Sequence, residues 1–69
     1  MEEFDLDGRD FVELNNLLKL TGMSPSGGVA KMVIADGNVT VDGQIETRKR
    51  CKIRSGQQVE YNGRKIIVT

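Results

Sequence analysis

A chain of 69 residues is one domain with room for one modest core, since a domain this small buries only about 60% of the surface its unfolded chain exposes. Its single Cys and its lack of His exclude an internal disulfide and remove the usual partner of zinc sites and of Ser–His or Cys–His nucleophile pairs. Ten basic and ten acidic residues cancel to a formal net charge of zero, but residues 1–47 hold nine acids against three bases and residues 48–69 hold seven bases against Glu60 alone. Net charge therefore hides a polarised chain. No apolar run approaches the 18 or so residues of a membrane span. The start, Met-Glu-Glu-Phe-Asp, is the opposite of a basic, apolar signal peptide. A cytoplasmic protein is the expectation.

The elements follow in chain order. In "EFDLDGRDFVEL", Asp7-Gly8 is a favoured two-residue turn, and a hairpin there would set Phe4 and Phe11 opposite each other on one face. "LNNLLKLTG" has helical spacing. Leu14, Leu17 and Leu18 share a face, and Gly22 stands where a C′ residue belongs. Asp10 with Glu13 would make a capping-box start, and Asn15 a later one; the later start is preferred. A second helix begins at Ser26, a good N-cap, shows Ala30, Val33 and Ile34 as its apolar stripe, and stops at Gly37. The remainder reads as strands. Asp42-Gly43 and Asn62-Gly63 are both hairpin signals, with Val59 and Tyr61 pairing against a run that ends Ile66-Ile67-Val68. With Phe4, Phe11 and Tyr61 the only aromatics, the core must come from Leu, Ile, Val and Met. The fold class is α+β: two short helices packed on a small, mostly antiparallel, curved sheet, in a single domain of residues 1–69.

The stretch "ETRKRCKIR" carries half of the chain's positive charge. If it is extended, alternate side chains share a face. Arg48, Arg50, Lys52 and Arg54 would then line the outside roughly 6.6 Å apart, while Cys51 and Ile53 point to the core. Cys51 reads as a small buried hydrophobe rather than a reactive thiol, because no general base accompanies it. The nearby acids, Glu46 and Asp42, are too few to neutralise the row. By itself the row serves equally as a solvated edge that blocks aggregation or as a site for a polyanion.

Ser26-Gly27-Gly28 adds a second feature. A helix N-terminus presents free N–H groups and a positive dipole end, and two glycines would let a phosphate approach that backbone. The alternative is a tight turn that needs glycine for its geometry. No P-loop or dinucleotide fingerprint is present. Lys19 and Lys31 could flank the same corner.

The ordered string Leu17-Leu18-Lys19-Leu20, Ser26-Gly27-Gly28, Ala30-Lys31, Ile34-Ala35-Asp36-Gly37, Val39-Thr40-Val41-Asp42-Gly43, Glu46-Thr47-Arg48 and Lys52-Ile53 resembles the alpha-L RNA-binding motif. That motif is found in the fourth protein of the small ribosomal subunit, and the likeness is greatest to its small stand-alone bacterial form. It covers almost the entire chain. The resemblance implies two helices followed by a small β structure, and binding of structured RNA such as ribosomal or transfer RNA. By position it implies contacts from Lys19, Ser26, Gly27, Gly28, Lys31, Arg48, Lys49, Arg50 and Lys52, with Arg54 at the far end. Many members carry Arg at the place of Gly27, Glu at Val29 and more Arg along the second helix; here that helix keeps only Lys31. The burden shifts to Arg48–Arg54, and the acidic N-terminal half is expected to face away from RNA.

The expected function is non-enzymatic RNA binding, mainly through phosphates and by shape, because no surface aromatic stands ready to stack bases. No cofactor, metal, membrane or small-molecule substrate is expected, and a monomer is the simplest state. The alternative is an adaptor whose basic strand docks an acidic protein. An enzyme is the weakest reading, since nothing resembles a nucleophile–base constellation.

Overall fold

Leu14, Leu17 and Leu18 fall on one side of a helix, and all three are fully buried. Their helix, α1 (Leu14–Leu20), packs on α2 (Gly27–Ala35), which contributes Ala30, Val33 and Ile34. The computed structural model describes residues 1–69. The strands are β1 (Glu2–Phe4), β2 (Val12–Glu13), β3 (Val39–Val41), β4 (Gln44–Ile45), β5 (Lys52–Ile53), β6 (Gln58–Tyr61) and β7 (Arg64–Val68). Both helices share one core with Val39, Val59, Ile66 and Val68 of the sheet, and no aromatic belongs to that core. The α+β reading and the aliphatic core are borne out.

The sheet has the order β1-β7-β6-β3-β4. Its two hairpins lie where the turn dipeptides put them. Asp42-Gly43 (φ 51° and 83°) joins β3 to β4, and Asn62-Gly63 (φ 53° and 81°) joins β6 to β7. Positive φ at both central residues matches the strand twist, which is why these pairs recur in hairpins. Val59 faces Ile66 across the second hairpin.

The N-terminal hairpin does not form. Asp7 and Gly8 do turn the chain, with φ 56° and 82° and the Arg9 amide donating to Leu6 O at 3.2 Å. But β1 runs parallel to β7, with Phe4 beside Val68, and β2 pairs antiparallel with β5, with Val12 beside Ile53. Phe4 therefore lies in the five-stranded sheet, while Phe11 immediately precedes the separate β2–β5 ribbon. Leu6 decides this: it is buried, and its amide donates to Thr69 O at 2.9 Å, which ties the segment to the end of β7.

The start of α1 is also set from a distance. The helix begins at Leu14, its N-cap Glu13 two residues before the expected Asn15, and the Glu13 side chain makes no cap bond. The Asp10–Glu13 capping box is absent because Val12 and Glu13 are strand. Two of the amides that a helix N-terminus leaves unpaired donate instead to the basic segment: Leu14 N to Cys51 O at 2.9 Å and Asn15 N to Lys49 O at 3.0 Å. The second helix behaves as its sequence says. Ser26 Oγ accepts from the Val29 amide at 3.2 Å, and Gly37 follows with φ 79°.

Candidate functional site

The basic segment is not one extended strand. Arg48 to Cys51 is a turn, closed by the Cys51 amide on Arg48 O at 3.2 Å, and only Lys52–Ile53 is strand. The evenly spaced row of four cations is thus corrected to a turn followed by a short ribbon. The cause is α1: its first two amides claim the Lys49 and Cys51 carbonyls, and a continuous strand would not present both to one helix end. Alternation survives only from Val12 and Ile53 onward. Those two residues are buried, while Lys52 and Arg54 lie outside. Cys51 is half-buried against the core rather than fully inside.

Arg48, Arg50, Cys51 and Lys52 line a groove of ≈ 450 Å³. Each arginine is held by an acid. Arg48 Nε donates to Glu46 Oε2 at 2.9 Å and its Nη2 donates to Glu46 Oε1 at 3.0 Å, while its backbone N–H donates to Oε2 at 3.0 Å. Arg50 Nε donates to Glu13 Oε2 at 3.2 Å. Both guanidinium groups remain mostly exposed. The acidic half of the chain therefore does not simply face away from the basic segment: Glu46 and Glu13 stand inside the site. Glu13 arrives there because it pairs with Lys52 across the β2–β5 ribbon, a partnership 37 or more residues long in sequence that local reading cannot see.

Electrostatics follow the contacts. The Arg48 guanidinium, and next its backbone amide, hold the Glu46 carboxyl down to about 2 from an ordinary 4.5. The same bond pushes Arg48 further up. Burial, and then the Glu46 charge, raise the Cys51 thiol, so it is protonated at neutral pH. Its Sγ donates to Glu46 Oε1 and accepts from Arg48 Nη2, each at 3.6 Å. Cys51 lines the groove with its thiol pushed away from the thiolate form, opposite to the shift by which a basic neighbourhood can create a nucleophile.

The other expected contacts are spread around this groove. Lys49 occupies a corner of the turn, exposed and free of ion pairs. Arg54 lies one residue past β5, its backbone N–H on Gln57 Oε1 at 2.8 Å. Lys19 sits in the last turn of α1 and Lys31 on α2, both exposed and outside the groove. Ser26, Gly27 and Gly28 open α2, also outside it. Neither glycine has positive φ, and a Cβ at Gly27 would meet nothing within 4 Å, with only Ser26 Oγ at 3.9 Å from one at Gly28. Backbone geometry does not require glycine at either place; what it leaves is an uncovered helix start.

One aromatic was overlooked by sequence reading. Phe11 is half-buried, with Lys52 Nζ 5.0 Å and Arg54 Cζ 5.6 Å from its ring centroid. The sequence led to the expectation that no surface aromatic stands ready to stack bases; the structure sets the half-buried Phe11 beside the basic surface. The pattern Phe11-Val12-Glu13, apolar residue inward between two outward ones, was the available signal; its partner strand was not.

The S4 domain family model matches residues 4–69. The chain is 53% identical over 68 residues to "Putative RNA-binding protein YbcJ" of Escherichia coli (strain K12), covering 99% of this chain and 97% of that protein. Identity and coverage are the same for "Uncharacterized protein YbcJ" of Shigella flexneri. The solution structure of YbcJ from E. coli, described as revealing an alpha-L motif involved in RNA binding, matches with a TM-score of 0.77 at 52% identity, over 100% of this chain and 87% of that one.

Proposed function

The chain belongs to the S4 domain family, and on that premise we propose that it binds structured RNA as a cytoplasmic monomer and performs no chemistry of its own. The observation that carries this reading is the groove in which Arg48, Arg50 and Lys52 converge beside the free Lys49. Guanidinium groups held on one side by Glu46 and Glu13 keep their remaining N–H groups exposed to donate to phosphate oxygens. The uncovered start of α2, with Gly27 and Gly28, supplies backbone donors to a further phosphate. Lys19, Lys31 and Arg54 extend the footprint. Support for RNA as the polyanion comes from the name of the E. coli relative and the description of its structure.

Phosphate contacts make affinity salt-dependent by counterion release. For four to six phosphates, log affinity falls against log salt with a slope of roughly −3 to −5. Titration of a labelled RNA hairpin across salt reads this slope; a flat line overturns the proposal. Replacing Arg48, Arg50 and Lys52 together by Ala weakens binding to all RNA sequences alike, and unchanged binding places the site elsewhere. Co-purification that persists after ribonuclease treatment would replace RNA by an acidic protein partner.

A further inference from the structure

We propose that Phe11 is a stacking platform for one unpaired nucleobase, with Lys52 and Arg54 holding the phosphates on either side of that nucleotide. This deepens, and rests on, the RNA-binding reading. Three observations converge on it. The ring is a large apolar group that belongs neither to the core nor to the residues packed against it, so packing does not account for it. It lies on the outer side of the β2–β5 ribbon, because Val12 and Ile53 are paired and take the inner side. Two cations stand over it, Lys52 Nζ at 5.0 Å and Arg54 Cζ at 5.6 Å, both on exposed residues and neither in an ion pair.

The chemistry of that trio selects its ligand. A flat apolar face flanked by positive charge fits a group that is itself flat and joined to anions on both sides, which describes a nucleotide within a strand. An acidic peptide offers the charge without the flat face, and a base pair inside a duplex offers the charge with its face already stacked. The resting cation–π contacts do not block the site. At an exposed position such a contact is weaker than base–aromatic stacking, and both cations are long, flexible side chains that move outward onto phosphate as the base takes the ring. Lys52 also lines the groove beside Arg48 and Arg50, so the stacked nucleotide continues the phosphate path. The RNA class is then a hairpin or bulge with at least one unpaired nucleotide next to paired stem.

The test uses the full chain with three probes: an RNA hairpin with an unpaired loop, a fully paired RNA duplex of equal phosphate number, and inorganic polyphosphate. Phe11→Leu keeps the fold, since the ring lies outside the core, and circular dichroism verifies this. It weakens hairpin binding by about 5- to 150-fold, the range of one lost stack, and leaves duplex binding nearly unchanged. Phe11→Trp places the only Trp in a chain that has none; its emission is quenched by the hairpin and not by duplex or polyphosphate. Equal losses on hairpin and duplex, or a tryptophan that no RNA quenches, overturn the proposal and leave the ring as a mere guide for Lys52 and Arg54. Failure of the wild-type chain to bind any of the RNAs would sink the RNA-binding reading itself, a distinct result.

Discussion

Glu46 is an acid inside a basic site, and its position has a consequence for acid stability. Its carboxyl is held at about 2 instead of 4.5, first by the Arg48 guanidinium. A carboxylate whose folded value lies below its unfolded one stabilises the fold above the unfolded value and loses that contribution as pH falls through the folded one. Wild type therefore melts higher than Glu46→Gln at neutral pH, and the gap closes as pH falls from 4.5 to about 2. Thermal melts of both proteins across that window check this; a gap that stays constant would mean the pair does not stabilise the fold. The gap itself is small, because Arg48 is largely exposed. Phe11 and Glu13 belong to the same scale. Each gained its role from the β2–β5 pairing, which sets Phe11 beside Lys52 and Arg54 and Glu13 beside Arg50, and none of these partners is near in sequence.

Among the elements, α2 gives the clearest separation of stability from function. Glycine is unfavourable in a helix by roughly 0.5–1 kcal/mol relative to Ala, and nothing in the fold demands it at Gly27 or Gly28. Gly27→Ala and Gly28→Ala are expected to stabilise the protein by up to about that amount in urea melts. The same changes cover the helix start and weaken RNA binding. A variant that is more stable and binds equally well would remove α2 from the interface. The opposite design governs α1, a seven-residue helix with no side-chain cap. Its N-terminus is completed by the carbonyls of Lys49 and Cys51, so the turn that carries the cations is also part of the helix. The base of the groove is tied to the helix for this reason, while the arginine heads above it are exposed.

Over the whole molecule, the acidic and basic halves are laced together. Glu46 binds Arg48, Glu13 binds Arg50, and Glu2 binds Arg64, whose Nε donates at 2.9 Å. Arg48 and Arg50 are exposed and Arg64 is half-buried, and exposed pairs contribute only about 0–1 kcal/mol each. The fold rests on its aliphatic core instead. Raising salt to about 1 M, where the screening length is near 3 Å, is expected to move the melting temperature by only a few degrees while abolishing RNA binding. Parallel melts and titrations separate the two; a collapse of stability with salt would show that the ion pairs hold the fold.

The sequence by itself determined whatever depends on near neighbours. Helical spacing placed Leu14, Leu17 and Leu18 inward, Ser26 capped α2, and Asp42-Gly43 and Asn62-Gly63 made their hairpins. The ordered motifs were enough to indicate the family. Only the tertiary structure decided how the distant segments pair. It sent β1 to β7 and β2 to β5, folded Arg48–Cys51 into a turn under α1, and brought Glu13 and Phe11 to the cations. The physical reason is the same each time. A turn dipeptide or a helical stripe is satisfied within a few residues, whereas a strand edge, an orphan helix amide or a free charge takes its partner from wherever burial of the core delivers one.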